Sequence, residues 1–337
     1  MKPVIILGIE SSCDETSASV LRNREVLSNN IANQTIHENY GGVVPELASR
    51  AHQSNIVPVV NAALKEANVS LNEIDAIAYT LGPGLIGALM VGSSFAKGLA
   101  ISNNIPLIEA HHMKAHVLAH FIKADGQKNP ELPFLCLTVS GGHTQIVVVE
   151  SPTNQRVIAE TRDDAAGEAF DKTAKILGLP YPGGPLIDKY AKEGDPNKYA
   201  FPFADVGKME FSFSGLKTAV LYFIRDNLKT NPAFIEEELP HLCASIQHNI
   251  VQTLLTKLKN AVKETGIKRV AIAGGVSANS ALRKALSELE TEGCEAFIPK
   301  FEFCTDNAAM IAVYGHYQFL DQHFGSLAAA PKARISF

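Results

Sequence analysis

Two segments of the chain share one strand-turn-strand pattern. The first is the apolar, β-branched run from Pro3 to Ile9, which is followed by the polar turn ESSCDETS and the returning segment SASVL. The second begins at Pro133 with FLCLTVS, continues through the turn GGHT and returns as QIVVVE. Apolar runs on both sides of a short polar turn are typical of β-hairpins. A hairpin that occurs twice predicts two structurally duplicated halves.

The rest of the chain alternates strand patterns with helical ones. The buried-strand pattern DAIAYTLG leads through a glycine turn into a helix, and the strand Val270–Gly275 precedes a helix that starts at Ala278. This alternation places the chain in the α/β class. Because 337 residues exceed one ordinary hydrophobic core, two domains are expected. The polar stretch Lys123–Leu132 is the predicted boundary between them.

Composition argues against several classes of protein. The net charge of -5 gives no general attraction for nucleic acid, so an RNA partner would need a local basic patch or another subunit. The five cysteines are scattered without C-x-x-C spacing, which argues against a disulfide framework and a cysteine zinc site. The apolar run before Gly8 is too short for a signal peptide, and no stretch reaches membrane-spanning length. We therefore expect a cytoplasmic protein that does not associate with membranes.

The segment EAHHMKAHVLAH, residues 109–120, is a candidate metal site. On a helix, His112 and His116 lie four residues apart on one face, where they could offer two imidazole nitrogens to one cation. This is the histidine half of the zinc-protease motif, but Met113 stands where that motif has its glutamate base. The alternative is that these histidines lie on a wet helix face or are hydrogen-bonded in a core. Two further histidines match no ligand position and are expected to be structural or at the surface: His111 and His120.

A candidate third ligand lies far along the chain. Asp306, within FEFCTDNAA, stands just before a predicted helix. One interpretation is an N-cap, and the other is a carboxylate ligand that meets His112 and His116. Two histidines and one carboxylate with open positions are the pattern of an Fe(II) or catalytic zinc site. Sequence spacing alone does not show that the three side chains meet.

Three glycine turns could expose backbone N–H groups to a phosphate. Tight turns also need glycine for steric reasons alone, so each turn by itself is weak support. Two glycine pairs that each follow an apolar strand suggest a nucleotide held between two domains. The turns are Gly82–Gly84, Ser140–Thr144 and Gly274–Asn279.

Several longer motifs resemble one protein family. They are GIESSCDETS, GGVVPELASRAH, GPGLIGALMVG, HHMKAH, VSGGHT, DDAAGEAFDKTAKILGLPYPGGP, FSFSGLKT, AGGVSAN and FCTDNAAMIA. These motifs, spread from about Ile5 to Ala312, resemble the bacterial tRNA N6-adenosine threonylcarbamoyltransferases. That family was formerly named O-sialoglycoprotein endopeptidase. Many bacterial relatives have H-x-E-x-H, whereas this chain has Lys114 at the glutamate position, where we expect a solvated side chain.

The resemblance implies an α/β fold like those of actin, Hsp70 and the sugar kinases. That fold has two duplicated ribonuclease-H-like lobes with the nucleotide in the cleft between them, in agreement with the two hairpins. We expect an N-terminal lobe over residues 1–122, completed by a C-terminal helix over 306–330, and a C-terminal lobe over 133–305 with helical insertions. The last residues, Pro331–Phe337, carry Lys332 and Arg334 and could contact RNA, but a frayed basic tail is the expected arrangement.

The resemblance also implies the reaction. A threonylcarbamoyl group would pass from threonylcarbamoyl-adenylate to N6 of the adenosine 3′ of the anticodon, in tRNAs that read codons starting with A. The alternatives are a metallopeptidase, which Met113 disfavours, and a non-catalytic ATP-binding scaffold, which the intact ligand set disfavours. The implied partners are tRNA, a homologous inactive paralogue in a heterodimer, a small P-loop ATPase and a separate threonylcarbamoyl-AMP synthase.

The same resemblance assigns site residues. One divalent metal per subunit, iron in the first place and zinc as the alternative, would be held by His112, His116 and Asp306. Glu15 is the candidate for handling a proton, with Asp14 second, although either could be a turn residue bonded to its own backbone. ATP, ADP or AMP could occupy the cleft that binds the adenylate. The predicted adenylate-binding residues are Thr138, Val139, Ser140, Gly141, Gly142, Asp171, Gly184, Asp188 and Asn279.

Overall fold

A computed structural model describes residues 2–337, without the side chains of Thr35, Glu38 and Asn39. The strands are β1 (Ile5–Glu10), β2 (Thr16–Arg22), β3 (Glu25–Ala32), β4 (Ala76–Gly82), β5 (Leu107–His111), β6 (Phe134–Val139), β7 (Thr144–Val149), β8 (Gln155–Thr161), β9 (Glu210–Phe211), β10 (Arg269–Ala273) and β11 (Glu295–Phe297). The helices are α1 (Pro45–Ala67), α2 (Ile86–Asn103), α3 (His112–Leu118), α4 (Ala166–Ile176), α5 (Gly183–Ala191), α6 (Ser214–Leu228), α7 (Phe234–Thr265), α8 (Ser280–Glu288) and α9 (Ala308–Leu320).

The chain divides into two compact units. The first comprises residues 1–130, 150–155 and 299–337, and the second comprises residues 131–149 and 156–298. The second unit therefore ends at residue 298 and not at 305 as expected, because the next residues join the first unit, where the Lys300 N–H donates to Gln127 Oε1 at 3.3 Å. The last helix ends at Leu320 and not at 330, since Gln322 takes a left-handed backbone conformation with φ 56°.

The first unit contains a five-stranded sheet in the order β3-β2-β1-β4-β5. The predicted N-terminal hairpin is present, because β1 and β2 pair antiparallel from Ile5 opposite Arg22 to Glu10 opposite Ser17. β4 pairs parallel to β1, and β5 pairs parallel to β4. β1 thus lies between two neighbours and ends, at Glu10, at the same edge of the sheet as β4 and β5.

The second unit repeats this arrangement. Its sheet has the order β11-β10-β6-β7-β8-β9, in which β6 and β7 form the second predicted hairpin. β10 runs parallel to β6, and β11 runs parallel to β10. Apart from the short added strand β9, the order β8-β7-β6-β10-β11 matches β3-β2-β1-β4-β5. The predicted duplication is therefore present in the described residues. Within residues 2–337, no helix combines the length and apolarity that crossing a bilayer requires.

Helix α9 packs very closely on the first sheet. A Cβ atom on Gly8 of β1 would lie 2.4 Å from the Ala308 carbonyl oxygen, and one on Gly315 would lie 2.6 Å from Ala78 Cβ. Small residues on both sides therefore let the helix backbone approach the sheet. This packing brings the segment just before α9 to the edge of the sheet where β1 and β5 end.

Candidate functional site

The three predicted metal ligands meet in the first unit. His112 begins α3 and His116 follows one helical turn later, so both imidazoles project from one face. The Oδ1 atom of Asp306 lies 3.0 Å from His116 Nε2 and 3.5 Å from His112 Nε2. One potential ligand atom from each of the three residues lies within 4.8 Å of the other two. The structure thus brings together side chains that sequence spacing could not place.

The chemistry of this trio fits a metal ion. Two imidazole nitrogens and one carboxylate oxygen are donors that Fe(II) and zinc accept. His116 is 0% exposed and His112 is 7% exposed, so neither histidine lies on a wet helix face. Burial raises the pKa of Glu15 to about 10, and the nearby carboxylates of Asp306 and Asp14 add to that effect. A cation at this position would offset the repulsion between these clustered carboxylates.

The interpretation of Asp306 as an N-cap is wrong. The N-cap of α9 is Asn307, whose side-chain oxygen accepts the Met310 N–H at 3.1 Å. Asn307 has the extended backbone that a capping residue requires. Because its neighbour caps the helix, the Asp306 carboxylate is directed to the two histidines. Burial raises the pKa of Asp306, but His112 and His116 outweigh burial and hold the pKa well below its ordinary value.

A residue that the sequence analysis did not identify supports His112. Glu10, at the end of β1, is 0% exposed, and its Oε2 atom lies 3.0 Å from His112 Nδ1. Two further groups donate to this carboxylate: the Thr80 hydroxyl to Oε2 at 2.7 Å and the Ser12 N–H to Oε1. Burial raises the pKa of Glu10, but the charge and hydrogen bond of His112 more than offset this, and the pKa lies below its ordinary value. The sequence could have indicated Glu10, because it is a carboxylate at the end of an otherwise apolar strand.

His52 holds the turn that carries Glu15. From α1, His52 Nε2 donates to the Cys13 carbonyl at 2.9 Å, and the Thr16 hydroxyl donates to His52 Nδ1 at 2.7 Å. Burial lowers the pKa of His52, which favours the neutral ring that can make both bonds. The predicted proton-handling residue therefore sits in a fixed turn near Asp306. The sequence signal for His52 was its place at the end of the motif GGVVPELASRAH.

The predicted adenylate-binding residues all belong to the second unit. They lie at the end of β6 (Thr138, Val139), in the turn after it (Ser140, Gly141, Gly142), on α4 (Asp171), on α5 (Gly184, Asp188) and at the N-cap of α8 (Asn279). Several of them interact locally. Asp171 accepts the Gly183 and Gly184 N–H groups at 2.9 and 3.1 Å, and Asp188 accepts the Ser280 hydroxyl at 2.7 Å.

Two of the predicted glycine turns converge in this unit. A Cβ atom on Gly274 would lie 2.5 Å from the Val139 carbonyl oxygen, which places the turn after β10 against the end of β6. The Gly167 N–H near the start of α4 donates to the Ser140 carbonyl at 3.2 Å. A Cβ atom on Gly141 or Gly142 would meet no atom within 4 Å, so open space lies beside this turn. The predicted adenylate residues of β6, α4 and α8 therefore cluster at one edge of the second sheet.

The third glycine turn has a structural explanation. The Gly84 N–H donates to the Ala333 carbonyl at 3.2 Å, and the Leu85 N–H donates to the Ser12 carbonyl at 2.7 Å. A Cβ atom on Gly84 would lie 2.5 Å from that Ser12 oxygen. These N–H groups are therefore engaged within the protein, and the turn at Gly82–Gly84 needs glycine for steric reasons.

The prediction of a frayed C-terminal tail is wrong. Residues 325–337, here called the C-terminal strap, lie against the first unit: the Gly325 N–H donates to the Leu107 carbonyl at 2.7 Å, and the Lys332 N–H donates to the Leu81 carbonyl at 2.9 Å. The Phe337 ring centroid lies 5.4 Å from that of His111. The Lys114 ammonium lies 5.2 Å from the Phe337 centroid, and burial lowers the Lys114 pKa. Lys114 is therefore half-buried and not simply solvated, because the strap packs over it.

The two remaining histidines of the segment are structural, as expected. His111 is the N-cap of α3, and its side chain accepts the Lys114 N–H at 3.5 Å. His120 is fully buried at the end of the segment.

Residues 25–313 match the family model described as tRNA N6-adenosine threonylcarbamoyltransferase. The chain belongs to this family. The threonylcarbamoyltransferase family is a family of transferases, so the predicted enzyme class is confirmed, and the metallopeptidase alternative is not favoured.

Curated members of the threonylcarbamoyltransferase family resemble the chain along its whole length. The chain is 59% identical over 333 residues to the tRNA N6-adenosine threonylcarbamoyltransferase of Christiangramia forsetii, with 98% of each chain covered. It is 55% identical over 338 residues to the protein of the same name from Porphyromonas gingivalis, with 99% of each chain covered.

Solved structures with remote sequences share the fold. Full-length HypF, in a phosphate- and nucleotide-bound form, matches with a TM-score of 0.65 at 13% identity, covering 96% of this chain and 47% of that one. Component A of (R)-2-hydroxyglutaryl-CoA dehydratase from Acidaminococcus fermentans matches with a TM-score of 0.55 at 14% identity, covering 94% and 98%. These likenesses concern the fold alone, and they confirm the predicted actin/Hsp70/sugar-kinase class.

Proposed function

We propose that this chain transfers a threonylcarbamoyl group to N6 of an adenosine in tRNA. The observation that carries the proposal is the match to enzymes named for that reaction over 98% of the chain at 59% identity. Acyl transfer to an aromatic amine needs an activated carbonyl and close positioning more than a strong base. The acceptor is proposed to be the adenosine 3′ of the anticodon in tRNAs that read codons starting with A.

The donor is proposed to be threonylcarbamoyl-adenylate. Its adenylate would lie against the glycine turns of the second unit, where Gly141 and Gly142 leave open space and a nearby N-terminus of α5 is ordered by Asp171. Backbone N–H groups at a glycine turn favour phosphate. The Gly183 and Gly184 N–H groups at the start of α5 are already bonded to Asp171, so the turn at Ser140–Gly142 is the main support for this proposal. The predicted binding residues support this proposal through their clustering at one sheet edge.

His112, His116 and Asp306 would hold the metal, iron in the first place or zinc. When bound, such an ion supplies Lewis-acid polarisation of an acyl carbonyl and stabilises negative charge on oxygen. The protein's own contribution is to orient the three ligands: α3 sets the spacing of the histidines, Asn307 releases Asp306 from capping, and Glu10 contacts His112.

Glu15 is proposed to accept or donate a proton during the transfer. Its raised pKa means that, while the trio carries no cation, the carboxyl is protonated at neutral pH and donates a hydrogen bond. A cation held by the trio would lower that pKa by direct attraction. Glu15 could then accept a proton, as the sequence analysis expected. Asp14 hydrogen-bonds to Glu15 and is proposed to orient it.

The partners are proposed on the same basis. A chain with a net charge of -5 would need a local basic patch or another subunit to hold tRNA. The proposed subunits are those that the family resemblance implies, a homologous inactive paralogue and a small P-loop ATPase. A separate threonylcarbamoyl-AMP synthase would supply the donor. All five cysteines are free thiols, which agrees with the proposed cytoplasmic location.

The purified chain and its partner subunits are incubated with threonylcarbamoyl-adenylate and unmodified tRNA. The tRNA is then digested to nucleosides, which are identified by mass spectrometry. We expect threonylcarbamoyladenosine from the wild type and its loss in His112→Ala. The matched control is His323→Ala, an exposed histidine of the same unit, which should retain product formation. Cleavage of a glycoprotein without modified nucleoside would reject the transferase proposal. Full activity of His112→Ala would reject the catalytic metal.

A further inference from the structure

We propose that Glu10 is a positioning residue that fixes the tautomer of His112, so that the Nε2 lone pair is directed to the metal. The inference rests on the proposed metal trio, and it assigns a task to a carboxylate that is neither a ligand nor the predicted proton carrier. Glu10 Oε2 lies 3.0 Å from His112 Nδ1, while His112 Nε2 lies 3.5 Å from Asp306 Oδ1. The two ring nitrogens therefore face two different carboxylates.

A carboxylate can only accept hydrogen bonds when ionised, so a close Glu10 requires a proton on His112 Nδ1. A neutral imidazole that carries its proton on Nδ1 has its lone pair on Nε2, the atom that faces Asp306. Carboxylates that accept from the outer nitrogen of a ligating histidine both select the tautomer and make the ligand more basic. The Glu10 contact has the geometry for both effects.

The surroundings of Glu10 demand an acceptor at both oxygens. The Ser12 N–H points to Oε1, while the Thr80 hydroxyl and His112 Nδ1 face Oε2. Glutamine has nearly the same shape, but its amide NH₂ would have to face one of these donors. If the NH₂ faced the Ser12 N–H, two donors would oppose each other. If it faced His112, it would favour the Nε2–H tautomer, which has no lone pair at Nε2, the atom that faces Asp306.

Ser12 is the competing partner of His112. Its hydroxyl oxygen lies 3.2 Å from His112 Nδ1. A hydroxyl both donates and accepts, so it is compatible with either tautomer and selects neither. Glu10 ends β1, where it pairs with Ser17 of β2, and its carboxylate accepts from the Ser12 N–H and the Thr80 hydroxyl. We therefore assign the selection of the tautomer to Glu10.

The second histidine ligand lacks such support. His116 Nδ1 is buried and, among the described residues, has no hydrogen-bond partner. A change at Glu10 should therefore act through His112 alone. This asymmetry makes the proposal specific, because the two histidines can be observed separately.

The test uses zinc and cobalt(II) with the purified full chain, so it needs neither tRNA nor partner subunits. In zinc-loaded wild type, nitrogen-15 histidine spectra should show His112 bound through Nε2 with a proton on Nδ1. Cobalt(II) titrations followed by visible absorption should show about 10–100-fold weaker binding for Glu10→Gln. Ser12→Ala should bind cobalt(II) with close to wild-type affinity, because a hydroxyl at this position selects neither tautomer.

Three results would overturn the assignment: zinc bound to His112 through Nδ1, Glu10→Gln with wild-type cobalt affinity, or Ser12→Ala with a loss equal to that of Glu10→Gln. If Glu10→Gln does not fold, the wild-type spectrum can still overturn the assignment, and a Ser12→Ala protein that keeps the wild-type tautomer excludes Ser12 as its source. A modified nucleoside without the expected tautomer would reject this inference and leave the proposed function intact. The expected tautomer without modified nucleoside would do the reverse.

Discussion

The Nε2 atom of His116 lies 3.0 Å from the Oδ1 atom of Asp306, although 190 residues separate the two in the chain. The contact exists because α9 packs so closely on β1 that the segment before it reaches α3. The carboxylate is available because Asn307 takes the capping position. Two adjacent residues thus have different tasks, which can be tested separately.

Replacement of Asp306 by Asn should remove the metal. The amide keeps the shape of the side chain but loses the negative charge that faces two imidazoles. We expect metal affinity to fall by more than about 100-fold, because replacing a residue that only hydrogen-bonds to a metal ligand already lowers metal affinity by about 10–100-fold. The metal content of the dialysed protein, measured by inductively coupled plasma mass spectrometry, checks this prediction. Retention of one metal per chain would show that Asp306 is not a ligand.

Replacement of Asn307 by Ala should affect stability instead. Loss of its hydrogen bond to the Met310 N–H should lower the free energy of unfolding by about 1 kcal/mol. Urea denaturation of the metal-free protein measures this difference. Metal affinity should stay near that of the wild type, so the variant is the matched control for Asp306→Asn. A large loss of affinity with unchanged stability would contradict the assignment of the cap.

Replacement of Gly8 by Ala should destabilise the first unit. The new Cβ would lie 2.4 Å from the Ala308 carbonyl oxygen, so α9 would have to shift. Overpacking of this kind costs about 1–3 kcal/mol. The control is Gly98→Ala on the exposed side of α2, where a Cβ meets nothing within 4 Å. That change should stabilise by about 0.5–1 kcal/mol. Equal denaturation midpoints for the two variants would contradict the close packing of α9.

Asp163 should make stability depend on pH in the acid range. Burial raises its pKa, but hydrogen bonds from Ser212, Phe213 and Ser214 outweigh burial, and the pKa lies below the ordinary value of 3.8. A lowered folded-state pKa contributes stability above pH 3.8, and that contribution disappears as the pH falls through the folded-state pKa. Asp163→Asn should therefore unfold more easily than wild type at pH 7, and the gap should close below pH 3.8. A gap that is constant with pH would rule out this origin.

Phe337→Ala should loosen the C-terminal strap. The cation–π contact with Lys114 at 5.2 Å is worth about 0.5–1 kcal/mol where partly exposed, which corresponds to opening about 2–5-fold more often. Hydrogen exchange at the Lys332 N–H, which bonds to Leu81, reports that opening. Arg334→Ala is the control, because its side chain is exposed. Unchanged exchange in Phe337→Ala would mean that the ring does not hold the strap.

The sequence predicted those parts of the fold and the site that repeat along the chain or belong to a known motif. The two hairpins followed from apolar runs on both sides of a short polar turn, and His112, His116 and Asp306 followed from ligand chemistry and family resemblance. Glu10 was missed because a single polar residue at the end of an apolar strand gives no periodic signal. The docking of the strap was missed because it depends on backbone bonds, such as that from Lys332 to Leu81, which leave no mark on side-chain composition.

The discontinuous make-up of the first unit bears on how the protein is made. Its residues 1–130 leave the ribosome early, but residues 299–337 emerge only after the whole second unit. Chains fold from the N-terminus during synthesis, at about 5–20 residues per second. A nascent chain can therefore complete the second unit while the first still lacks α9 and Asp306. A product truncated before residue 299 would carry both histidines without Asp306, so the metal trio forms only after the whole second unit has been synthesised.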